Sequence, residues 1–255
     1  MNRKYSQWAS ATIFFVVMVG SITWARPAHA PAAGCSNATL SGNAGFRVSG
    51  LNTSGPVAAV GQLTADGKGH FTGMETVSSN GTVLTDIPVS GTYAIQANCT
   101  GKGTIGPKHG TTSHFSFVVL SGGNELPLVL TDTGTAELGS TLTQGTSSCS
   151  KVQGTYGFQG GGIIVGVGPV VFVGQAKLQN GVISGTESGS INGTIFTKAT
   201  IDGVYKIDSR CFGAAKISVN HATPSDFNLV VVNGQKTVEF IGTDSGTVIS
   251  GAFQQ

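Results

Sequence analysis

The chain has 255 residues, of which 39 are glycine and only 10% are charged. This balance, together with many Thr, Ser and Val residues, is typical of all-β proteins and argues against a helical or a disordered chain. From Pro31 onward the chain carries 11 basic and 12 acidic residues, a net charge of −1. Because nucleic acids and anionic membranes are bound by clustered Lys and Arg, neither is an expected partner.

Residues 1–30 have the three parts of an export signal peptide. Arg3 and Lys4 form its positive end, Ala11–Gly20 forms its apolar core, and an Ala-His-Ala cleavage site ends at Ala30. We expect cleavage near Ala30 and a secreted or periplasmic protein without a membrane span, since the apolar run is short for a bilayer crossing. Lipidation of Cys35 is a rival hypothesis, because Ala-Ala-Gly-Cys resembles a lipobox.

In chain order, short strands then alternate with turn signals. The strands predicted first are Gly45–Gly50, Val57–Ala65, Phe71–Val77, one or two strands within Val83–Ala97 interrupted near Pro88, a strand around Phe115–Val119, Leu126–Thr131 and Thr135–Thr143. Asp66-Gly67 and Asn80-Gly81 predict tight hairpin turns, because these residue types tolerate the positive φ that such turns need. Within Val83–Ala97 apolar and polar residues alternate, so one face of that segment is buried.

A second repeat retraces this path at a nearly constant offset of about 112 residues. Cys35-Ser36 returns as Cys149-Ser150, and Asn80-Gly81 returns as Asn192-Gly193. Seven or eight hairpin-connected strands leave exposed edges unless the sheet closes, so we predict two tandem homologous antiparallel up-and-down β-barrels. Two β-sandwich domains are the alternative. The predicted boundaries are residues 35–143 for the first barrel, 144–148 for a linker and 149–255 for the second barrel.

The four cysteines occupy equivalent places in the two repeats. The duplication favours pairing Cys35 with Cys99 and Cys149 with Cys211, and an exported protein meets an oxidising compartment. Each bridge closes a loop that contributes about 4 kcal/mol in the chain-entropy model. We expect structural disulfides and no redox role, because no Cys-x-x-Cys motif occurs.

The opening pattern Cys-Ser-x-x-x-Leu-x-Gly-x-x-Gly-Phe, from Cys35 to Phe46, resembles a group of uncharacterised secreted, duplicated β-rich proteins of environmental bacteria. The likeness includes the Asp-Gly and Asn-Gly turns and covers both repeats, about 220 residues. In the second copy the Leu is absent and the spacing from Cys to Gly is shorter. The resemblance implies export and β architecture, and it implies no activity.

Two turns are similar to the catalytic loops of aspartic peptidases. Asp132-Thr133-Gly134 and Asp244-Ser245-Gly246 match the signatures of those duplicated all-β enzymes, whose two carboxylates share a proton and activate water. Their position argues against catalysis, because only eight residues follow Thr247 to bury and support Asp244. We expect hairpin turns with Asp at the start and Gly at positive φ, and no catalytic residues.

Glu75 and Glu187 occupy equivalent positions and are the candidate ligand-binding residues. Each shares strand parity with an apolar neighbour, Phe71 or Ile183, so both are expected to point inward. An inward carboxylate can orient a ligand or act as a general base. The alternative is a solvated or hydrogen-bonded position at the barrel rim.

No metal or cofactor is expected. His70, His109, His114 and His221 show neither metal-ligand spacing nor repeat equivalence, and no nucleotide-binding motif occurs. The segment Gly160–Val173 breaks the symmetry, since its counterpart is more polar. It predicts either two core strands meeting at a glycine turn, or a lid or partner contact beside an apolar cavity.

These features favour an exported non-catalytic β-barrel protein, either a carrier of a small apolar ligand or an envelope or matrix interaction module. A carrier predicts a cavity lined by Phe and Val, whereas an interaction module predicts filled barrels and an apolar outer patch. The alternative is an aspartic-peptidase-like hydrolase that uses Asp132 and Asp244.

Overall fold

A computed structural model describes residues 34–107, 110–145, 149 and 152–255. These residues form two closed barrels of antiparallel strands, each with eight strands in up-and-down order. The predicted fold class is confirmed, and the alternative of two sandwiches is wrong. The predicted signal peptide, residues 146–148 of the predicted linker and His109 lie outside the described residues.

The first barrel closes where its last strand pairs with its first, with Phe46 opposite Thr141. Its strands are β1 (Ser41–Asn52), β2 (Gly55–Asp66), β3 (His70–Ser79), β4 (Thr82–Ile95), β5 (Thr100–Pro107), β6 (Ser113–Val118), β7 (Glu125–Leu130) and β8 (Ala136–Thr143). Short 3₁₀ turns at Asn37–Thr39 and Ser121–Gly123 lie at one end of this barrel.

The second barrel closes in the same way, with Phe158 opposite Phe253. Its strands are β9 (Gly154–Ile164), β10 (Gly168–Gln179), β11 (Val182–Ile191), β12 (Thr194–Ile207), β13 (Phe212–Val219), β14 (Ser225–Val232), β15 (Thr237–Gly242) and β16 (Thr247–Gln254), with a 3₁₀ turn at Asn233–Gln235. Residues with the same register in the two barrels are equivalent, so that Phe158 corresponds to Phe46 and Phe253 corresponds to Thr141.

Two strands differ from the sequence-based expectation. The segment predicted as one or two strands around Pro88 is a single strand, β4, whose irregularity is a bulge before Ile87. Strand β5 was not predicted, because its inward positions include Gly101 and Gly103 instead of large apolar residues. The rings of Phe117 and Phe115 on the paired strand β6 cover these glycines, so β6 supplies the apolar volume.

Each barrel has a closed end formed by the segment that precedes its first strand. The disulfides pair Cys35 with Cys99 and Cys149 with Cys211, as the duplication predicts. In the first barrel Tyr93 donates a hydrogen bond to the carbonyl of Leu40 (2.8 Å). These bonds hold the preceding segment across the barrel end. A thiol in a disulfide is not free for lipidation, so the lipoprotein hypothesis for Cys35 is wrong in this structure.

The two barrels pack side by side through their outer faces. Ala58 and Val60 on β2 belong to one buried cluster with Val230 and Val232 on β14. Arg47 on β1 forms an ion pair with Glu239 on β15, with 2.5 Å between the Arg47 Nε and a Glu239 carboxylate oxygen. We call this contact the internal interface. It fixes the relative position of the barrels.

The compartment is indicated by the covalent bonds. Two disulfides suggest an oxidising location, extracellular or periplasmic. None of the helices in the described part of the chain has the length and apolar character of a transmembrane segment.

Candidate functional site: two barrel cavities with inward carboxylates

The first barrel is not filled by its own side chains. It contains a cavity of about 500 Å³. Most of the wall is apolar and includes Val48, Ala59, Phe71, Phe115, Leu126 and Leu128. The rest includes Tyr93 at the closed end and the carboxyl groups of Glu75 and Glu137. This volume lies in the range of small-molecule binding sites, roughly 300–1,000 Å³.

Glu75 lies on β3 directly beside a β-bulge. Between the pairs formed by Glu75 and Val77, the facing strand β4 has one residue more than β3, and Asp86 in that stretch adopts a φ of 55°. A bulge bends a strand and re-aims the neighbouring side chains. Burial raises the pKa of Glu75 to about 7. No described residue forms a hydrogen bond or an ion pair with its carboxyl group.

Glu137 on β8 is a second carboxyl group of this cavity, and the sequence analysis missed it. Burial raises the pKa of Glu137, the negative charge of Asp132 raises it further, and a hydrogen bond with Asn52 opposes both effects. The sequence signal that could have identified Glu137 is its position four residues before Thr141, which places both side chains on the inward face of β8. The adjacent Leu138 obscured it, because this apolar residue points outward and is 69% exposed.

The second barrel contains a smaller cavity, of about 330 Å³, with an aromatic wall. Its lining includes six phenylalanines, which are Phe158, Phe172, Phe196, Phe227, Phe240 and Phe253. Glu187 also lines this cavity and is 8% exposed. Burial raises the pKa of Glu187, and no described residue forms a hydrogen bond or ion pair with its carboxyl group.

Glu187 is placed by the same device as Glu75. The pairing of β11 with β12 shifts between Glu187 and Gly189, and Lys198 on the facing strand has a φ of 53°. Both barrels therefore present one unpartnered carboxyl group beside a bulge at equivalent positions. Whether either group binds a ligand stays a prediction.

The two cavities differ because a few equivalent positions carry different side chains. Ala59 and Thr141 in the first barrel correspond to the bulkier Phe172 and Phe253 in the second. The second carboxyl group, Glu137, corresponds to Ile249. The first cavity is therefore larger and more polar, and the second is smaller and almost wholly apolar.

We call the end of each barrel opposite its disulfide the open end, and the two open ends lie on the same side of the molecule. At the open ends, the amide of Gly246 in the β15–β16 turn donates a hydrogen bond to the carbonyl of Gly81 in the β3–β4 turn (2.9 Å). Toward the closed ends, the Gln62 amide group donates to the carbonyl of Arg210 (2.8 Å). Because like ends contact like ends, the two barrels have the same orientation.

The structure does not bring Asp132 and Asp244 together. They lie in equivalent hairpin turns of different barrels, and in each turn a threonine amide, of Thr135 or Thr247, donates to the Asp carbonyl. The Asp132 carboxylate accepts hydrogen bonds from the amide and ring of His114, which hold its pKa below the usual value. The Asp244 carboxylate accepts one from the amide of Asp226 (3.2 Å). A peptidase dyad needs two carboxylates in contact, and this arrangement does not provide them.

The other features that the sequence singles out, the segment Gly160–Val173 and the histidines, have structural explanations. The segment Gly160–Val173 forms strands β9 and β10, which meet at a turn where Gly166 has a φ of 81°. Of the histidines, His70, His114 and His221 each lie next to one aspartate. Among the described residues, no group of three or more His, Cys, Asp and Glu side chains is arranged to hold a metal ion.

Comparisons with other proteins give structural similarity only. No protein-family model matches the chain, and the search of curated proteins finds no match. Among solved structures, kievitone hydratase from Nectria haematococca is similar at 6% identity and a TM-score of 0.30, covering 91% of this chain and 94% of that one. CghA is similar at 10% identity and a TM-score of 0.28, covering 89% of this chain and 94% of its own. At these values the similarity carries no argument about the activity of this chain.

Proposed function

We propose that this chain is an exported, non-catalytic carrier that holds small, largely apolar ligands with one basic group inside its two barrels. One observation carries the proposal: each barrel has an apolar cavity whose wall presents an unpartnered carboxyl group, Glu75 or Glu187. A barrel whose interior is filled by its own apolar side chains would have no use for an inward carboxyl group.

The chemistry of the ligand follows from the cavity walls. A buried carboxylate without a partner is unfavourable, and a ligand cation removes that penalty by forming an ion pair. In the second barrel the phenylalanine rings around Glu187 add favourable contacts with a cation and with an apolar chain. A ligand with its own carboxylate is repelled. Apolar amines therefore fit these cavities better than fatty acids of the same length.

The predicted export signal supports this role. The positive end at Arg3 and Lys4, the apolar run Ala11–Gly20 and the cleavage site near Ala30 direct the chain out of the cytoplasm. Two disulfides suit the same destination. We propose that the mature protein works in the periplasm or outside the cell, where it takes up ligands from water.

Binding of decylamine and decanoic acid tests the proposal. At pH 8, above the pKa of Glu75, we expect decylamine to bind about tenfold more tightly than decanoate in isothermal titration calorimetry, since ~1.4 kcal/mol of ionic preference gives that ratio. Native mass spectrometry should show up to two decylamine molecules per chain. Glu187→Gln should remove the preference at the second cavity, and Glu75→Gln combined with Glu137→Gln should remove it at the first, where both carboxyl groups line the wall. The apolar contribution to binding should remain in each case.

Glu125→Gln is the matched control, because Glu125 lines neither cavity. It should bind both probes as the unmodified protein does. The carrier proposal fails if neither probe binds. The proposed ligand chemistry fails if the two probes bind equally and the Glu75 and Glu187 variants behave like the control.

An interaction module is the second candidate, because the predicted apolar outer patch also exists. Large apolar side chains on the outer surfaces of both barrels are exposed, with Val173 at 59% and Leu138 at 69%. Cavities favour the carrier and outer patches favour an interaction role. The two roles use different surfaces and are compatible.

A further inference from the structure

The internal interface joins two different faces of the barrels. The first barrel contributes the outer face of β1 and β2 with the adjoining Thr76 and Ser78 of β3, and the second contributes the outer face of β14, β15 and β16. The buried apolar residues of this contact are Ala58, Val60, Val230, Val232, Ile241 and Val248, none more than 3% exposed. Because the faces differ, the contact is heterologous, and each barrel retains a counterpart of the face that the other barrel uses.

On the second barrel, the counterpart of the β1–β2 face is apolar and uncovered. Val60 lies opposite Thr76 and Val173 lies opposite Ser188, which makes Val173 the counterpart of Val60. Val171 is likewise the counterpart of Ala58. Val171 and Val173 are 57% and 59% exposed. We call Val171, Val173 and the adjoining outer surface of β9 the free face of the second barrel.

On the first barrel, the counterpart of the β14–β16 face is also apolar and uncovered. The registers of β6, β7 and β8 make Val118, Leu120, Val129 and Leu138 the counterparts of Val230, Val232, Ile241 and Ser250. All four first-barrel residues are exposed, whereas their counterparts are buried. We call these four residues the free face of the first barrel.

The free face of the second barrel also keeps the glycines that the internal interface requires. A Cβ on Gly45 would lie 2.7 Å from a methyl group of Val230, so the close approach of the barrels needs glycine there. Its counterpart Gly157 has only one atom nearby, the Gln254 carbonyl oxygen at 3.9 Å. At the barrel mouth, Gly81 contacts Gly246, while its counterpart Gly193 has open space around it.

We propose that copies of this chain associate head to tail, with the free face of the second barrel docked on the free face of the first barrel of the next copy. The contact repeats the internal interface, with Val171 and Val173 in the places of Ala58 and Val60. It lacks the Arg47–Glu239 ion pair, whose counterparts are Gln159 and Pro127. The association is therefore weaker than the internal interface and depends on apolar burial.

The geometry favours a closed ring. On each barrel the two faces are centred two to three strands apart, which in an eight-stranded barrel is roughly 110° around the circumference. Because both barrels have the same orientation, the line of contacts changes direction at each barrel by the remaining angle, roughly 70°, and closes after five to six barrels. Each chain supplies two barrels, so a ring of three chains is the expected assembly.

Sedimentation velocity on the purified disulfide-bonded chain tests the proposal. We expect a concentration-dependent trimer. Val173→Asp disables one free face and Val129→Asp disables the other, so each variant alone should be monomeric. Since a head-to-tail contact joins unlike faces, a one-to-one mixture of these variants retains one working contact per pair. That mixture should form dimers and nothing larger.

Val204→Asp is the matched control, because Val204 is 55% exposed and its counterpart Thr92 lies outside the internal interface. It should assemble like the unmodified chain. If an Asp variant misfolds by circular dichroism, Val171→Asp and Leu138→Asp replace the pair. A monomeric unmodified chain, assembly that survives both variants, or a mixture that stays monomeric overturns the proposal. A ladder of lengthening oligomers overturns the closed ring.

Discussion

At the scale of single residues, the carboxyl groups inside the barrels lower the stability of the folded protein. Glu75 gains no hydrogen bond or ion pair from the described residues, and burial alone raises its pKa to about 7. A side chain of this kind weakens the empty protein. Its presence at equivalent positions in both barrels is what the proposed carrier role predicts, because a cationic ligand would pair with it.

Glu75→Gln is expected to stabilise the empty protein in a pH-dependent way. The folded-state pKa of Glu75 lies above the ordinary value of 4.5, so between pH 4.5 and 7 the folded chain binds more protons than the unfolded chain and its stability falls as pH rises. The variant should raise the free energy of unfolding by on the order of 2–3 kcal/mol at pH 8 and change it little at pH 4.

Urea unfolding at the two pH values measures this effect. Glu125→Gln, outside the cavities, should show no such difference between pH 4 and pH 8. An equal gain from Glu75→Gln at both pH values would show that the carboxyl group is not strained by burial.

At the scale of elements, tight hairpin turns fix how closely the barrels approach. The β3–β4 turn uses Asn80 and Gly81, and the β11–β12 turn uses Asn192 and Gly193, all four with positive φ. The local geometry is the same in both turns. Their surroundings differ, because a Cβ on Gly81 would lie 2.7 Å from the Cα of Gly246 in the second barrel.

Gly81→Ala and Gly193→Ala therefore separate backbone strain from the inter-barrel contact. Gly193→Ala should cost about 1 kcal/mol through its positive φ alone. Gly81→Ala should cost about 1–3 kcal/mol more, because the added methyl group forces the barrels apart. Thermal unfolding of the monomeric chain at low concentration gives both values. Equal losses would mean that the barrel contact relaxes without cost.

At the scale of the whole molecule, the Arg47–Glu239 ion pair couples the barrels. Glu239 is 3% exposed, and burial raises its pKa while the Arg47 guanidinium lowers it. Removing one partner of a buried pair leaves an uncompensated charge. The two barrels should consequently unfold as one cooperative unit while this pair is intact.

Arg47→Met should destabilise the protein by about 3 kcal/mol at neutral pH, because it leaves Glu239 buried and unpaired. The loss should shrink in acid, where Glu239 becomes protonated. Adding Glu239→Met should recover most of the stability. Lys216→Met is the control, since the Lys216–Asp226 pair is well exposed and should contribute under about 1 kcal/mol. Calorimetric unfolding that shows no difference between the two single variants would refute this coupling.

The sequence by itself determined the features that depend on local chemistry. Period-two alternation and Asp-Gly or Asn-Gly turns predicted most strands, because strand parity and positive φ are properties of a few neighbouring residues. The equivalent placing of four cysteines predicted both disulfides. Strand parity with Phe71 and Ile183 also predicted that Glu75 and Glu187 face inward.

Only the tertiary structure decided what depends on contacts between distant strands. Strand β5 escaped prediction because the rings that cover Gly101 and Gly103 come from β6. Glu137 escaped because the adjacent Leu138 points outward, toward a surface that local alternation cannot distinguish from a core. The choice of closed barrels over the alternative of two sandwiches and the unequal volumes of the two cavities follow from pairings between segments far apart in the chain. Such pairings arise from packing, which no single stretch of sequence contains.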